Sequence, residues 1–284
     1  VQVVEGRGAA LNGLDLLGVD ESGVTWRVEN LDDLLSPSGS TGEVIQNAFG
    51  DGGWAGQAYR EPRPIRLLGW ISGDSRDVAL AAATLLASKL PYKSFERLSM
   101  SDLGEVSHLL VRVAGKPFIK ELSSTYFTFD IQLIAPDPRK LGGDGSTPYQ
   151  FSATAFLPST SGGLQLPVTA PFSIGATVVN GSVTVTATGD APPPVMVRIN
   201  GPIVGPVIRD RDGNSMPLDI SLDVGQWLDV DFDAHTIKLN STVSRRNALR
   251  GRWITASAGM VLSLDADVYN PLANMTVFWT DASY

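Results

Sequence analysis

The sequence predicts a mainly β protein of two domains, an N-terminal β-sandwich domain carrying one α-helix followed by a C-terminal β-sandwich. Three observations carry that expectation. The 29 glycines and 18 prolines among 284 residues disfavour helix interiors. Only one segment, around residues 75–90, has apolar residues at helical spacing. From about Gly189 to Asp267, short alternating apolar runs are punctuated by turn residues at regular intervals, as in a compact all-β module.

A chain of this length favours two domains, each large enough to bury its own core. The two prolines of Ala135-Pro136-Asp137-Pro138-Arg139 stop the strand before them, and Gly142-Gly143-Asp144-Gly145-Ser146 reads as a flexible stretch. The expected division is therefore 1–140 for the first domain, 141–165 for a connector and 166–284 for the second domain.

In the first domain, strands are expected at 14–17, 25–28, 65–71, 94–98, 108–114 and 127–134, where apolar and β-branched residues cluster. The helix is expected from Ser75 or Arg76 to about Leu90, with Asp74 as its cap, Asp77 in its first turn and Pro91 ending it. Val78, Ala81, Ala82, Leu85 and Leu86 make its expected apolar face. A lone helix among strands covers one face or end of a sheet.

Between Ile45 and Arg63, the run Asp51-Gly52-Gly53-Trp54-Ala55-Gly56-Gln57-Ala58-Tyr59-Arg60 is too glycine-rich to read as a regular element. Loops of that length inside compact domains are usually functional or mobile. Trp54 and Tyr59 read equally well as contact residues or as anchors buried against the parent sheet.

In the second domain, Val195, Val197 and Ile199 form one apolar row, Asn200-Gly201-Pro202 breaks it, and the run resumes at 204–208. Asp212-Gly213-Asn214 turns the chain again, and runs at 218–222, 227–232 and 236–239 follow. Runs separated by such short Gly- or Asp-rich breaks read as hairpins, because tight hairpin turns need positive φ.

Charge and composition exclude several classes. The net charge of −8 is shared, with 14 basic and 18 acidic residues in 1–140 and 8 and 12 in 141–284, so neither half has the basic footprint of a nucleic-acid binder. No apolar run approaches the about 20 residues needed to cross a bilayer. Val1-Gln2-Val3-Val4-Glu5 lacks the basic and apolar regions of a secretory signal. The absence of cysteine removes disulfides, thiolate metal sites and cysteine nucleophiles together.

The candidate chemistry is weak. Asp229, Asp231 and Asp233 recur at every second position, yet strand periodicity turns Val230 and Phe232 inward and the aspartates to solvent, and Ala234 and Asn240 stand where an EF-hand loop needs Gly and Glu. Asp210-Arg211-Asp212-Gly213-Asn214 reads as a hairpin tip. His108 and His235, the only imidazoles, fall in different domains, and neither has a nucleophile at a recognised spacing. No G-x-S-x-G, H-E-x-x-H or Walker-type loop occurs. Glu43 and Glu61 form a glycosidase pair in composition only. Arg245, Arg246, Arg250 and Arg252 make the one basic cluster, which in an acidic domain favours pairing with aspartates or a neighbouring subunit over a polyanion. Trp227 and Trp253 sit in apolar runs and read as core, leaving Trp279 as the candidate sugar-stacking residue.

The order of these parts resembles the distal tail protein (Dit) family of siphophages, a tail-tip and baseplate hub component. The residues that carry the resemblance are Tyr59-Arg60-Glu61-Pro62-Arg63-Pro64-Ile65-Arg66-Leu67, Gly69-Trp70-Ile71-Ser72-Gly73 with the helix, and Phe129-Asp130-Ile131-Gln132-Leu133-Ile134-Ala135-Pro136-Asp137-Pro138-Arg139. In the second half they are Val197-Arg198-Ile199-Asn200-Gly201-Pro202, Gly225-Gln226-Trp227-Leu228-Asp229-Val230-Asp231, and Trp253-Ile254 running into Gly259.

The resemblance implies a non-enzymatic virion protein without metal or cofactor, a homo-oligomer forming a hexameric ring at the tail tip, with N-terminal domains around a channel and galectin-like C-terminal domains outside. It would join the tail tube to tail-tip or tail-fibre proteins, and DNA would pass the acidic channel without specific binding. The Gly-rich loop becomes an arm against the next subunit, with Gly52, Gly53, Trp54, Tyr59 and Arg60 as contact candidates. A host-surface glycan is a further implied partner. The alternative is a glycan-binding adhesin-type β-sandwich protein, although a galectin-type site pairs its Trp with His, Asn and Arg, and His235 alone leaves that pattern unfilled.

Overall fold

The computed structural model describes residues 8–30, 36–102, 104–157, 181–268 and 270–284. These residues are mostly strand, with one α-helix among them. They group into two compact units, Val1–Pro148 with Ser283–Tyr284, and Tyr149–Ala282. Residues 158–165 of the expected connector, and 166–180 of the expected second domain, lie outside the described residues.

The first unit opens with β1 (Gly8–Leu11), β2 (Leu14–Asp15), β3 (Gly18–Val19) and β4 (Thr25–Asn30). An arm follows, built from β5 (Ser40–Thr41), β6 (Val44–Gln46), β7 (Gly53–Ala55) and β8 (Tyr59–Arg60). Then come β9 (Arg63–Ser72), α1 (Arg76–Lys89), β10 (Glu96–Asp102), β11 (Glu105–Val113), β12 (Phe118–Ser123), β13 (Tyr126–Ala135) and β14 (Lys140–Gly142). Neighbouring strands run in the order β2-β1-β10-β11-β13-β9-β4-β3, with β12 on β13 and β14 on β11.

The β9–β13 pair is the spine of this unit, antiparallel from Arg63↔Ala135 to Ser72↔Tyr126. Its inward row alternates as strand geometry requires, Ile65, Leu67 and Ile71 facing the core with Phe127, Phe129, Ile131 and Leu133. Gly69 is forced by proximity, since a Cβ there would lie 2.1 Å from the Arg27 carbonyl oxygen and 2.5 Å from the Phe129 ring. On the outer face, Arg66 grips Asp130 through two hydrogen bonds of 2.9 and 2.6 Å.

The helix lies where its spacing places it, but with a different cap and a rotated face. Ser75, not Asp74, is the N-cap, its hydroxyl accepting from the Val78 N–H at 3.4 Å. Ala79, Ala82, Ala83 and Leu86 are buried, whereas Leu85 is 41% exposed. The stripe at i, i+3, i+4 and i+7 was present in the sequence, and its alanines let the helix approach the sheet closely.

The glycine stretch after the Pro-Asp-Pro exit is pinned rather than loose. Gly143 donates to the Val106 carbonyl at 2.7 Å, and its own carbonyl meets His108 Nδ1 at 2.9 Å. A Cβ on Gly145 would come within 2.8 Å of the same imidazole. His108 is thus 9% exposed and anchors this crossing.

The second unit begins with β15 (Phe151–Phe156), inside the stretch expected as connector, and continues with β16 (Ser182–Thr184), β17 (Val195–Asn200) and β18 (Ile203–Asp210). Next are β19 (Ser215–Pro217), β20 (Ser221–Leu222), β21 (Trp227–Asp231) and β22 (Thr236–Leu239). The last strands are β23 (Val243–Ser244), β24 (Val261–Val268), β25 (Asn274–Trp279) and β26 (Ala282–Ser283).

A six-stranded sheet, β15-β25-β17-β21-β22-β23, faces a smaller one, β16-β24-β18-β19 with β20 on β18, across one shared core. The expected hairpin at Asn200-Gly201-Pro202 is instead a crossing between sheets, because β17 pairs with β21 and β25 while β18 pairs with β19, β20 and β24.

Two outcomes test this packing. In urea unfolding, Leu86→Ala is expected to cost about 2–5 kcal/mol, and Leu85→Ala under about 1 kcal/mol. Arg66's hydrogen bonds hold the Asp130 carboxyl below the ordinary carboxylate range, against a smaller desolvation effect. A depressed carboxyl stabilises the fold fully above its unfolded value, about 3.9, and the gain is lost as pH falls through the folded value. Asp130→Asn should therefore flatten the loss of stability below about pH 4 by an amount on the order of 1 kcal/mol or less, given how open the pair is.

Candidate functional site

The arm is the part of the first unit that its own core does not explain. Every residue from Gly39 to Pro62 is exposed. The expected irregular loop is a two-stage β-ribbon: β5 pairs β8 through Ser40↔Arg60 and Thr41↔Tyr59, then β6 pairs β7 through Val44↔Ala55, Ile45↔Trp54 and Gln46↔Gly53. Between the stages, Gly56 N–H donates to the Glu43 carbonyl at 3.3 Å.

The glycines make the ribbon. Gly52 has φ of +90° in the tip turn, which Asn47 closes by donating its backbone N–H to the Gly52 carbonyl and its amide to the Asp51 carbonyl. Gly53 sits where a Cβ would come within 2.7 Å of the Ile45 carbonyl oxygen. Of the five expected contact residues, then, Gly52 and Gly53 shape the arm, while Trp54 (78% exposed) and Tyr59 (63%) present side chains to solvent. Arg60 lies over the ring of Tyr284, a residue of the same unit, 3.8 Å from its centroid.

The sequence reading missed Phe49, fully exposed at the tip, and Val44 and Ile45, each 64% exposed. Adjacent strand residues point to opposite faces, so Val44 and Ile45 make the ribbon apolar on both sides. A two-stranded ribbon has no interior in which to bury either face.

The root of the arm is built differently. Arg63, the first residue of β9, is 1% exposed. Its Nε donates to the Pro138 carbonyl at 3.1 Å and its Nη1 to the Ser36 carbonyl at 2.5 Å. Burial, and then the like charge of Arg60, pulls its pKa below the ordinary arginine range. Pro138 is held in turn, because Asp137 accepts from the backbone and guanidinium of Arg139 at 2.6–3.0 Å. One side chain therefore ties the segment entering the arm, the strand leaving it and the Pro-Asp-Pro exit.

In the second unit, Trp279 cannot be a sugar platform. It is 5% exposed, belongs to the core and stacks on Phe151 at 5.9 Å, because Met275, Val277 and Trp279 share the inward face of β25. Trp227 and Trp253, expected in the core, are only partly buried. Trp227 donates its indole N–H to Ser241 and lies 5.4 Å from the Arg198 guanidinium.

The aspartate row is a strand face. Asp229 accepts from Arg198 at 2.7 and 3.1 Å and from Ser241 at 2.6 Å, and Asp231 caps the following turn by accepting from the N–H groups of Asp233 and Ala234. Among the described residues, no group of three His, Asp or Glu side chains is placed to hold a metal. In the basic cluster, Arg250 pairs with Asp219 at 2.8 Å. Glu43 and Glu61 both lie on the exposed arm. Among the described residues, no helix is long and apolar enough to cross a membrane.

This fold, a helix-bearing β unit followed in sequence by a β-sandwich, is similar to those of a phage hub protein and a phage baseplate. The particular match is to the Dit protein of phage SPP1, described as a paradigm of the hub adsorption apparatus in phages infecting Gram-positive bacteria, with a TM-score of 0.64 and 13% identity over 97% of this chain and 98% of that one. The structure of the phage P2 baseplate in its activated conformation with Ca is also similar, with a TM-score of 0.53 and 13% identity over 97% and 98% of the two chains. No protein-family model matches the sequence, and no curated protein does. The chain has the Dit fold.

The role of Arg63 is open to measurement. Arg63→Lys, which keeps the charge but loses the fork that spans two carbonyls, should lower stability by about 1.5–3 kcal/mol in urea unfolding. It should also speed limited proteolysis between residues 36 and 63 more than cleavage elsewhere.

Proposed function

We propose that this chain is a structural virion protein at the tip of a long non-contractile phage tail, where it forms a ring that joins the tail tube to the host-recognition proteins beyond it. The observation that carries this reading is near end-to-end likeness to the SPP1 Dit hub protein, together with an apolar arm that lacks any surface of its own to cover it.

In a ring, each arm would lie on the next subunit, a heterologous contact that closes after a fixed number of copies. Phe49, Trp54 and Tyr59 would supply the buried area, in keeping with the enrichment of aromatic residues at interface centres. A hexamer is the stoichiometry proposed. The acidic balance of both halves suits a channel through which DNA passes without adhering. Its partners would be the tail tube on one side and tail-tip or tail-fibre proteins on the other, and its work would be mechanical, with no catalysis.

Light scattering coupled to size exclusion, with negative-stain microscopy, should find closed rings of six 30.2-kDa chains. Phe49→Ser with Trp54→Ala should shift the protein to monomers while leaving its circular dichroism unchanged, since neither residue belongs to a core. A wild-type protein that stays monomeric across a broad concentration range would remove the ring from this reading.

A further inference from the structure

The second unit carries a cleft of about 440 Å3 that the tail-tip role does not use. One wall is the hairpin tip joining β18 to β19, with Asp210, Arg211, Asp212 and Asn214, and the other is the irregular segment from Trp253 to Met260, which includes Ser257, with Val261 at the start of β24. Its size falls within the range of about 300–1,000 Å3 of small-ligand sites.

Both walls are fixed before any ligand arrives. The Asp210 carboxylate accepts from the Asn214 backbone N–H at 2.8 Å and from its side-chain amide at 2.6 Å, locking the tip. Across the cleft, the Ile254 N–H meets Met216 Sδ at 3.4 Å beneath the wall, and the ring of Trp253 packs on His235 with centroids 4.8 Å apart. Trp253 is half-buried and lines the cleft, and the contact with His235 holds its ring.

The chemistry of the lining selects a ligand class. An aromatic ring offers an apolar platform for C–H groups. Carboxylate, amide, guanidinium and hydroxyl side chains at the rim offer both donors and acceptors to hydroxyl groups. Two carboxylates against one guanidinium disfavour phosphate and other anions. A neutral sugar, with one apolar face and a belt of hydroxyls, meets all three conditions.

We infer that this cleft is a binding site for a neutral saccharide, with Trp253 as the stacking residue and Asp212 and Asn214 as hydrogen-bonding residues. This goes beyond the ring reading and is independent of it: a chain that forms rings and binds no sugar would lose only this inference.

The test titrates the full chain with glucose, galactose, rhamnose and N-acetylglucosamine, and with glucuronic acid as the anionic probe, using saturation-transfer NMR and tryptophan fluorescence. At least one neutral sugar should bind saturably with a dissociation constant on the order of millimolar. Trp253→Ala and the surface variant Asn214→Ala should each weaken it by about tenfold or more, and Val224→Ala, at an exposed position away from the cleft lining, should leave it unchanged. Should Trp253→Ala fail to fold, Asn214→Ala and Asp212→Ala decide. No saturable neutral sugar, a preference for glucuronic acid, or unaltered binding in the rim variants would overturn the assignment.

Discussion

The buried guanidinium of Arg63 sets the terms for the first unit. A charged group out of water is costly unless hydrogen bonds compensate its desolvation. Here the donors reach two carbonyls far apart in sequence, Ser36 and Pro138. The position is the first residue of β9, paired with Ala135 at the end of β13, so the same residue that starts the spine fixes the root of the arm. A lysine has one point charge and no fork, and could not serve both carbonyls with the same geometry. The prolines on either side belong to the same device. Pro62 and Pro64 flank Arg63 where the ribbon ends, and Pro136 and Pro138 stop β13 so that a carbonyl is left for the guanidinium.

A rigid root matters because the ribbon itself is weak. Its two short ladders have few hydrogen bonds and no buried side chain. Such an element, swinging freely, would pay a large ordering cost on meeting a partner. Fixing the point from which it leaves the sheet removes part of that cost, and the contact of Arg60 with Tyr284 adds a second constraint just outside the root. The division of labour is physical: a buried cation and a proline turn hold the base, while glycines and exposed apolar side chains form the reach.

Legibility in the sequence followed burial. The strands of both cores were readable because one face of each is buried and alternation therefore appears, as in β9, β13, β17 and β21. The arm was not readable as strand because neither of its faces is buried, and its glycines carry the signature of a loop. The crossing from β17 to β18 was misread as a hairpin for another reason: local turn residues report that the chain reverses, and only long-range pairing decides which sheet it enters. Arg63 was visible within the Tyr59-to-Leu67 motif, yet nothing local marks an arginine as buried. Trp279 was the avoidable error, since Met275, Val277 and Trp279 alternate in step and place the indole inward.

The exchange of roles between tryptophans follows from where each sits relative to the sandwich. A residue on the inward register of β25 is enclosed by both sheets whatever its chemistry, so the amphipathic indole of Trp279 is spent on packing. Trp253 comes after the 3-10 turn at Arg246–Ala248, in a segment without strand pairing, where it is partly buried against the core and its ring packs on His235. The outer face of the six-stranded sheet shows the opposite solution, with polar groups satisfied by one another: Arg198 by Asp229, Asn200 by Asn274, Trp227 by Ser241. A face whose donors and acceptors already pair has little to offer a ligand. The proposed cleft lies instead off the regular sheet, between the hairpin tip and the segment without strand pairing.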